Sequence, residues 1–158
     1  METIPFLTKE DVIELDDLLG DYLQKSDAAF TVVIDRGGTV IAQCGEGGDA
    51  DITIVAALAA GSFAATKELA RRIGESEFSA LYHQGQQRHI FMSALDEHTI
   101  IITLFDEKTT VGLVRFYTVN VTPAISALLS RLRSREAPDI PELSATGTMA
   151  PFSPGTRS

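Results

Sequence analysis

One cysteine, Cys44, stands in the 158 residues, so no disulfide can form within the chain. Cations are scarce: 13 Lys and Arg against 22 Asp and Glu give a formal net charge of -9. That balance opposes nonspecific binding to nucleic acid and to anionic membrane surfaces, both themselves negative. There is no basic run and no aromatic platform interleaved with Lys or Arg. No stretch approaches the roughly 20 apolar residues of a membrane span. The start, METIPFLTKEDVIELDD, is acidic and is not expected to act as a secretory signal, and the expected compartment is the cytosol. What is present is ordinary for a globular protein, with 44% hydrophobic residues and a length suited to one domain.

Chemistry-bearing patterns are equally sparse. His83, His89 and His98 have no Cys or His partner at metal-ligand spacing, so neither a metal nor a cofactor is expected. Gly45, Gly47 and Gly48 precede a helix, but Asp49 and Asp51 follow and no Lys does, which argues against a phosphate-binding loop. Cys44 ends a strand and reads as a small core residue. Glu75, Glu77, Asp96, Glu97, Asp106 and Glu107 fall where solvated loop and turn residues normally sit. No catalytic residue stands out, and the chain reads as a binding module.

The periodicities predict the order αββαβββα. Thr8 caps a helix from Lys9 to about Lys25, with Val12, Leu15, Leu19 and Tyr22 on its stripe. FTVVID (30–35) and TVIAQC (39–44) form a hairpin about Arg36-Gly37-Gly38. GEGGDAD (45–51) leads into an Ala/Gly-rich helix over 51–74, ended by Gly74. Residues 75–87 read as a loop. HIFMSAL (89–95), TIIITLF (99–105) and TVGLVRFY (110–117) read as strands, the middle one apolar on both sides and therefore buried on both. Arg115 interrupts the last strand; it either snorkels at a sheet edge or pairs with a carboxylate. Thr122-Pro123 opens the last helix. Residues 136–158, rich in Pro, Ser, Thr and Gly, are expected to be a disordered tail beyond a domain of residues 1–135.

The Ala-rich helix is the most informative segment. At 3.6 residues per turn, Ile52, Val55, Ser62, Thr66, Leu69 and Ile73 share one side, with Leu58 and Ala65 at its margin. Ala57, Ala60, Gly61 and Ala64 occupy the neighbouring side. Large residues are expected on the sheet, and small ones against a second backbone. Gly61 supports this, because a mid-helix glycine costs roughly 0.5–1 kcal/mol relative to alanine.

Three segments carry a resemblance: VVIDRGGTVIAQCG, LAAGSFAATKELARRIGESEF and LFDEKTTVGLVRF. Together they resemble the Roadblock family of small dimeric proteins, and most closely its bacterial MglB branch, over approximately residues 8 to 133. The resemblance implies a five-stranded antiparallel sheet between a central helix on one face and the two terminal helices on the other. It implies a homodimer joined edge to edge through His89, Ile90, Phe91, Met92, Ser93, Ala94 and Leu95, with the central helices side by side. It implies that two copies engage one Ras-like small GTPase, MglA, in cell polarity and motility, with enrichment at a cell pole. It also implies activation by repositioning the GTPase's own catalytic residues, without an arginine finger. On this chain the GTPase-binding residues would be Ala57, Ala60, Gly61, Phe63, Ala64, Lys67, Glu68 and Arg71. Two alternatives stand beside this reading: a Roadblock scaffold that binds without activating, and a small-molecule sensor domain, which should show a cavity with converging polar groups.

Overall fold

Thr8 and Asp11 start the first helix by exchanging bonds: the Asp11 amide donates to Thr8 Oγ1 (3.1 Å) and the Thr8 amide to Asp11 Oδ2 (2.9 Å). This capping box satisfies two donors that a helix end otherwise leaves open. The helix, α1, runs Lys9–Ser26 and stops at Asp27, whose φ of 60° turns the chain out. The computed structural model describes residues 7–47 and 50–135. The expected tail at 136–158 lies outside the described residues.

The remaining elements are β1 (Phe30–Asp35), β2 (Val40–Gly45), α2 (Ile52–Arg72), β3 (Ala80–Gln84), β4 (His89–Ala94), β5 (Thr99–Phe105) and α3 (Val111–Ser134). The strands form one sheet in the order β2-β1-β5-β4-β3, every pair antiparallel. The first hairpin is tightened by Asp35, whose carboxylate accepts the amides of Gly37 and Thr39, each at 3.0 Å. Gly38 follows at φ +99°, and a Cβ there would lie 3.1 Å from the Ala57 Cα, so the hairpin tip meets α2 backbone to backbone. Glycine alone suits both demands.

Every residue of β5 is buried, as its unbroken apolar run requires of a central strand covered on both faces. One face carries α1 and α3, around Leu15, Leu19, Tyr22, Val33, Ile101, Ile125 and Leu128. The other carries α2, around Val32, Ile34, Ala56, Ala59, Ala60, Phe63, Met92 and Ile102. The fold is therefore mixed α/β, one central helix opposite two terminal ones, as the sequence predicts. A buried hydroxyl chain ties α1, β5 and α3 together: Tyr22 Oη lies 2.7 Å from both Thr103 Oγ1 and Thr118 Oγ1. Thr118 spends its proton on the Val114 carbonyl (2.7 Å), so Tyr22 donates to Thr118 and accepts from Thr103.

Three expectations are corrected. Residues 110–117 are not a strand. Thr110 caps a helix, accepting the Leu113 amide at 3.2 Å, and α3 runs on from Val111 through Pro123. Pro123 is on the exposed side, where the carbonyl it leaves without a donor can be hydrated. Arg115 is accordingly a helical residue. Residues 75–87 are not all loop, since they contain β3, whose five residues complete the sheet. Finally, two helices, Ile52–Arg72 and Val111–Ser134, are long and apolar enough by composition to cross a membrane, and each lies along a face of the sheet.

Candidate protein-binding face

Helix α2 is rotated from the sequence expectation: Ala57, Gly61 and Ala64 face out as expected and Ile52 packs on the core, but Leu69 and Ile73 are exposed and Ala60 is buried. The side chains it buries are Ala56, Ala59, Ala60, Phe63 and Ala70, while Ile54, Leu58, Leu69 and Ile73 are 54%, 68%, 56% and 65% exposed. Ala56, Ala59, Ala60 and Ala70 meet the sheet with Phe63, while Ile54, Leu58, Leu69 and Ile73 face out. Alanines let the helix axis approach the strands closely, and Phe63, between them, fills the wider gap. Ala60 and Phe63, expected to touch a partner, are therefore core residues at 7% and 2% exposure. Ala57, Gly61, Ala64, Lys67, Glu68 and Arg71 are exposed, as a contact surface requires. Nothing lies within 4 Å of where a Gly61 Cβ would stand, so packing within the chain does not demand glycine there.

The outward apolar stripe of α2 leads toward β3. Val55, Leu58 and Ser62 line a groove of about 240 Å³ whose other wall is His83, Ile90 and Met92. Beyond it β3 pairs with β4 on one side only, leaving an open row of backbone donors and acceptors. The expected edge strand is thus corrected. His89, Ile90, Phe91, Met92, Ser93 and Ala94 are bonded to β3 on one side and to β5 on the other. Phe91, Met92 and the following Leu95 are buried at 2%, 1% and 5% exposure. An interior strand has no free ladder to offer a second chain. The edge on this side is Ala80–Gln84, three apolar residues followed by His83 and Gln84.

The arginines around α2 are tied down. Glu68 accepts from both Arg71 and Arg72. Arg36, at the first hairpin, lies over the Phe63 ring with its guanidinium carbon 5.4 Å from the centre. Its Nη2 donates to the Asp96 carbonyl at 3.1 Å, and its Nη1 lies 3.5 Å from Glu77 Oε1. Asp96 in turn accepts the His98 amide (2.8 Å), the Thr99 amide (2.9 Å) and the Thr99 hydroxyl (2.8 Å), and pairs with Arg133 at 3.1 Å. Burial raises the Asp96 pKa, but the His98 amide, the Thr99 hydroxyl and Arg133 outweigh it and hold the carboxyl below its ordinary value.

The other candidates do not converge. Among the described residues no group of three His, Cys, Asp or Glu is placed to hold a metal ion. His83 is exposed on β3, His89 opens β4 and accepts the Gly85 amide on Nδ1 at 3.1 Å, and His98 lies in the β4–β5 turn. Cys44 is a half-buried free thiol against the core that α1 covers.

The same architecture recurs in solved structures. "MglB with tetrameric arrangement" is 24% identical with a TM-score of 0.78, over 84% of this chain and 99% of that one. The gliding protein MglB from Thermus thermophilus is 26% identical with a TM-score of 0.73, over 85% and 98%. Myxococcus xanthus MglB is 25% identical with a TM-score of 0.71, over 75% and 96%. No curated protein matches the sequence. The family model of the Roadblock/LC7 domain matches residues 14–105, from the middle of α1 to the end of β5, and the chain belongs to the Roadblock/LC7 family.

Proposed function

We propose that the chain is a homodimeric regulator that binds a Ras-like small GTPase of the MglA kind and stimulates its GTP hydrolysis in the cytosol, at a cell pole. The observation that carries the reading is the orientation of α2. Its alanines sit on the sheet, its apolar stripe runs toward an open strand edge, and its remaining side, Ala57, Gly61, Ala64, Lys67, Glu68 and Arg71, is free. Likeness to MglB structures supports the same assignment.

In this reading two copies pair through β3, extending the sheet, while Leu58 and Leu69 meet their counterparts across a two-fold axis. The paired helices then offer a low, small-residue surface to the GTPase, with Lys67, Glu68 and Arg71 as a polar rim. Stimulation proceeds by holding the GTPase's own catalytic groups in place. The cations of this face support that mechanism over an inserted arginine. Arg71 and Arg72 are paired to Glu68, and Arg36 is clamped between Phe63, Asp96 and Glu77.

Ala64→Arg tests the reading. Ala64 is exposed on α2, so the helical circular dichroism and the dimer mass by light scattering are expected to persist. Capture of the GTPase and stimulated hydrolysis are both expected to be lost, because a long charged side chain holds the partner backbone away. Unchanged stimulation would refute this docking face. A wild-type chain that captures the GTPase without accelerating hydrolysis would make it a scaffold.

A further inference from the structure

Arg36, Arg71, Arg72, Arg88, Arg131, Arg133 and Arg135 each hold a carboxylate or carbonyl oxygen. Among the described residues Arg115 is the one arginine that holds none. Its guanidinium carbon instead lies 5.6 Å from the centre of the Phe91 ring. Arg88 also has no acidic partner, but its guanidinium holds the Gly47 carbonyl at 3.1 Å, so Arg115 alone among the described arginines is left without an oxygen acceptor. It stands in a groove of about 410 Å³ between α3 and the β3–β4 pair. Phe78, Ala80, Phe91 and Val119 make the apolar half of the lining, and Ser79, Ser93 and Thr118 add hydroxyls.

We propose that this groove binds a small organic acid: one carboxylate on an apolar body. The guanidinium offers its planar fork to a carboxylate, which takes two parallel hydrogen bonds. The guanidinium lies over the Phe91 ring, and its N–H groups donate to no acceptor among the described residues, so they are available to a ligand. The apolar body lies along Phe78 and Val119. The volume falls in the range of roughly 300–1,000 Å³ usual for small-molecule sites, and the lining divides between apolar side chains for the body of the acid and Arg115 with hydroxyls for its carboxylate. Arg115 sets this groove apart from those at Leu58 and at Tyr22, whose linings hold no unpaired cation, and from the groove beside Arg36, where Glu77 and Glu97 stand with Lys67 and disfavour an acid.

The inference does not depend on the GTPase reading. Phe91 packs with Val114 on the α1–α3 side of the sheet, whereas α2 packs on the opposite side with Met92 and Ile102. A bound acid would bridge α3 and the edge strand β3.

The probe is 4-phenylbutyrate, titrated into the full-length, isotopically labelled protein and followed by amide NMR, with 4-phenylbutanol as the uncharged analogue of similar shape. Saturable binding with a Kd of about 1 mM or tighter is expected for a ligand of this size. The shifts should centre on Ala80, Ser93 and Arg115, and the alcohol should bind at least tenfold more weakly. Arg115→Met keeps the apolar stem and removes the charge; it should weaken the acid at least tenfold and leave the alcohol unchanged, while Arg115→Lys retains part of the preference. Circular dichroism of both variants should match the parent, since Arg115 is exposed. Equal affinity for acid and alcohol, shifts centred on Ile54 and Leu58, or no saturation by 10 times that concentration would each overturn the proposal.

Discussion

Truncating Phe63 isolates what holds α2 on the sheet. Of the residues α2 buries, the other four are alanines, so Phe63 supplies most of the apolar area. A phenylalanine buries about 150–250 Å². At about 25 cal/mol per Å² that corresponds to roughly 4–6 kcal/mol, and residual burial in the unfolded chain reduces it by about 10–40%. Loss of the Arg36 contact over the ring adds about 0.5–1 kcal/mol. Phe63→Ala is therefore expected to destabilise the protein by about 3–5 kcal/mol, within the usual range for buried Phe→Ala. With a urea m-value of about 2 kcal/mol/M, the midpoint falls by roughly 2 M. The assay is urea unfolding by circular dichroism at one fixed protein concentration, because the proposed self-association would contribute to apparent stability by mass action. Leu58→Ala is the paired control. Leu58 is 68% exposed, so this variant should keep its helical signal and lose self-association in light scattering. A Phe63→Ala loss below about 1 kcal/mol would refute the account of α2 as a helix seated through Phe63.

Three further outcomes follow from other contacts. Asp96 has a depressed folded pKa, so its contribution is full above the unfolded carboxylate value and is lost as pH falls through the lower folded value. Acid unfolding monitored below pH 4 should be shallower in Asp96→Asn than in the parent, and an unchanged profile would place the acid sensitivity elsewhere. Gly61→Ala should stabilise the chain by about 0.5–1 kcal/mol in thermal unfolding, because nothing lies within 4 Å of the added methyl; a loss would mean the backbone there needs glycine. Tyr22→Phe removes the hydroxyl bonded to Thr103 and Thr118 and should cost about 1–3 kcal/mol in urea unfolding, with no change in cost meaning the hydroxyl chain carries no net stability.

The parts of the fold legible in the sequence are those with local physical signatures. Thr8 with Asp11 announces α1, the Asp35-to-Thr39 turn announces the first hairpin, and the unbroken run 99–105 announces the doubly covered central strand. The face of α2 is not legible in this way, because size is a poor guide to burial on it. A helix that must lie close to a sheet does so on alanines, and its large residues are then left for whatever lies outside. Strand β3 escapes notice because ALYHQ, at an edge and mostly exposed, carries little apolar signal. Residues 111–117 resemble a strand because Val, Phe and Tyr favour strands when half-buried; the Thr110 cap and the run to Ser134 override that preference. Of the eight binding residues that the resemblance implies, six are exposed, whereas the burial of Ala60 and Phe63 follows only from the rotation of the helix.

The central place of β5 has a consequence for how the chain acquires its structure. Phe30 pairs with Leu104, and Asp35 with Thr99, so the two hairpins are joined only by the last strand to be made. As synthesis proceeds, β1–β2 and β3–β4 emerge as separate pieces, each with an unfilled side, and α2 has no complete surface beneath it. Closure waits for residues 99–105, and the α1 side waits further for α3. Long-range pairing of this kind slows folding relative to a helical bundle of equal length and leaves apolar strands open meanwhile. A nascent chain stopped before Thr99 should therefore be protease-sensitive throughout, while one released after Ser134 gains resistance in a single step.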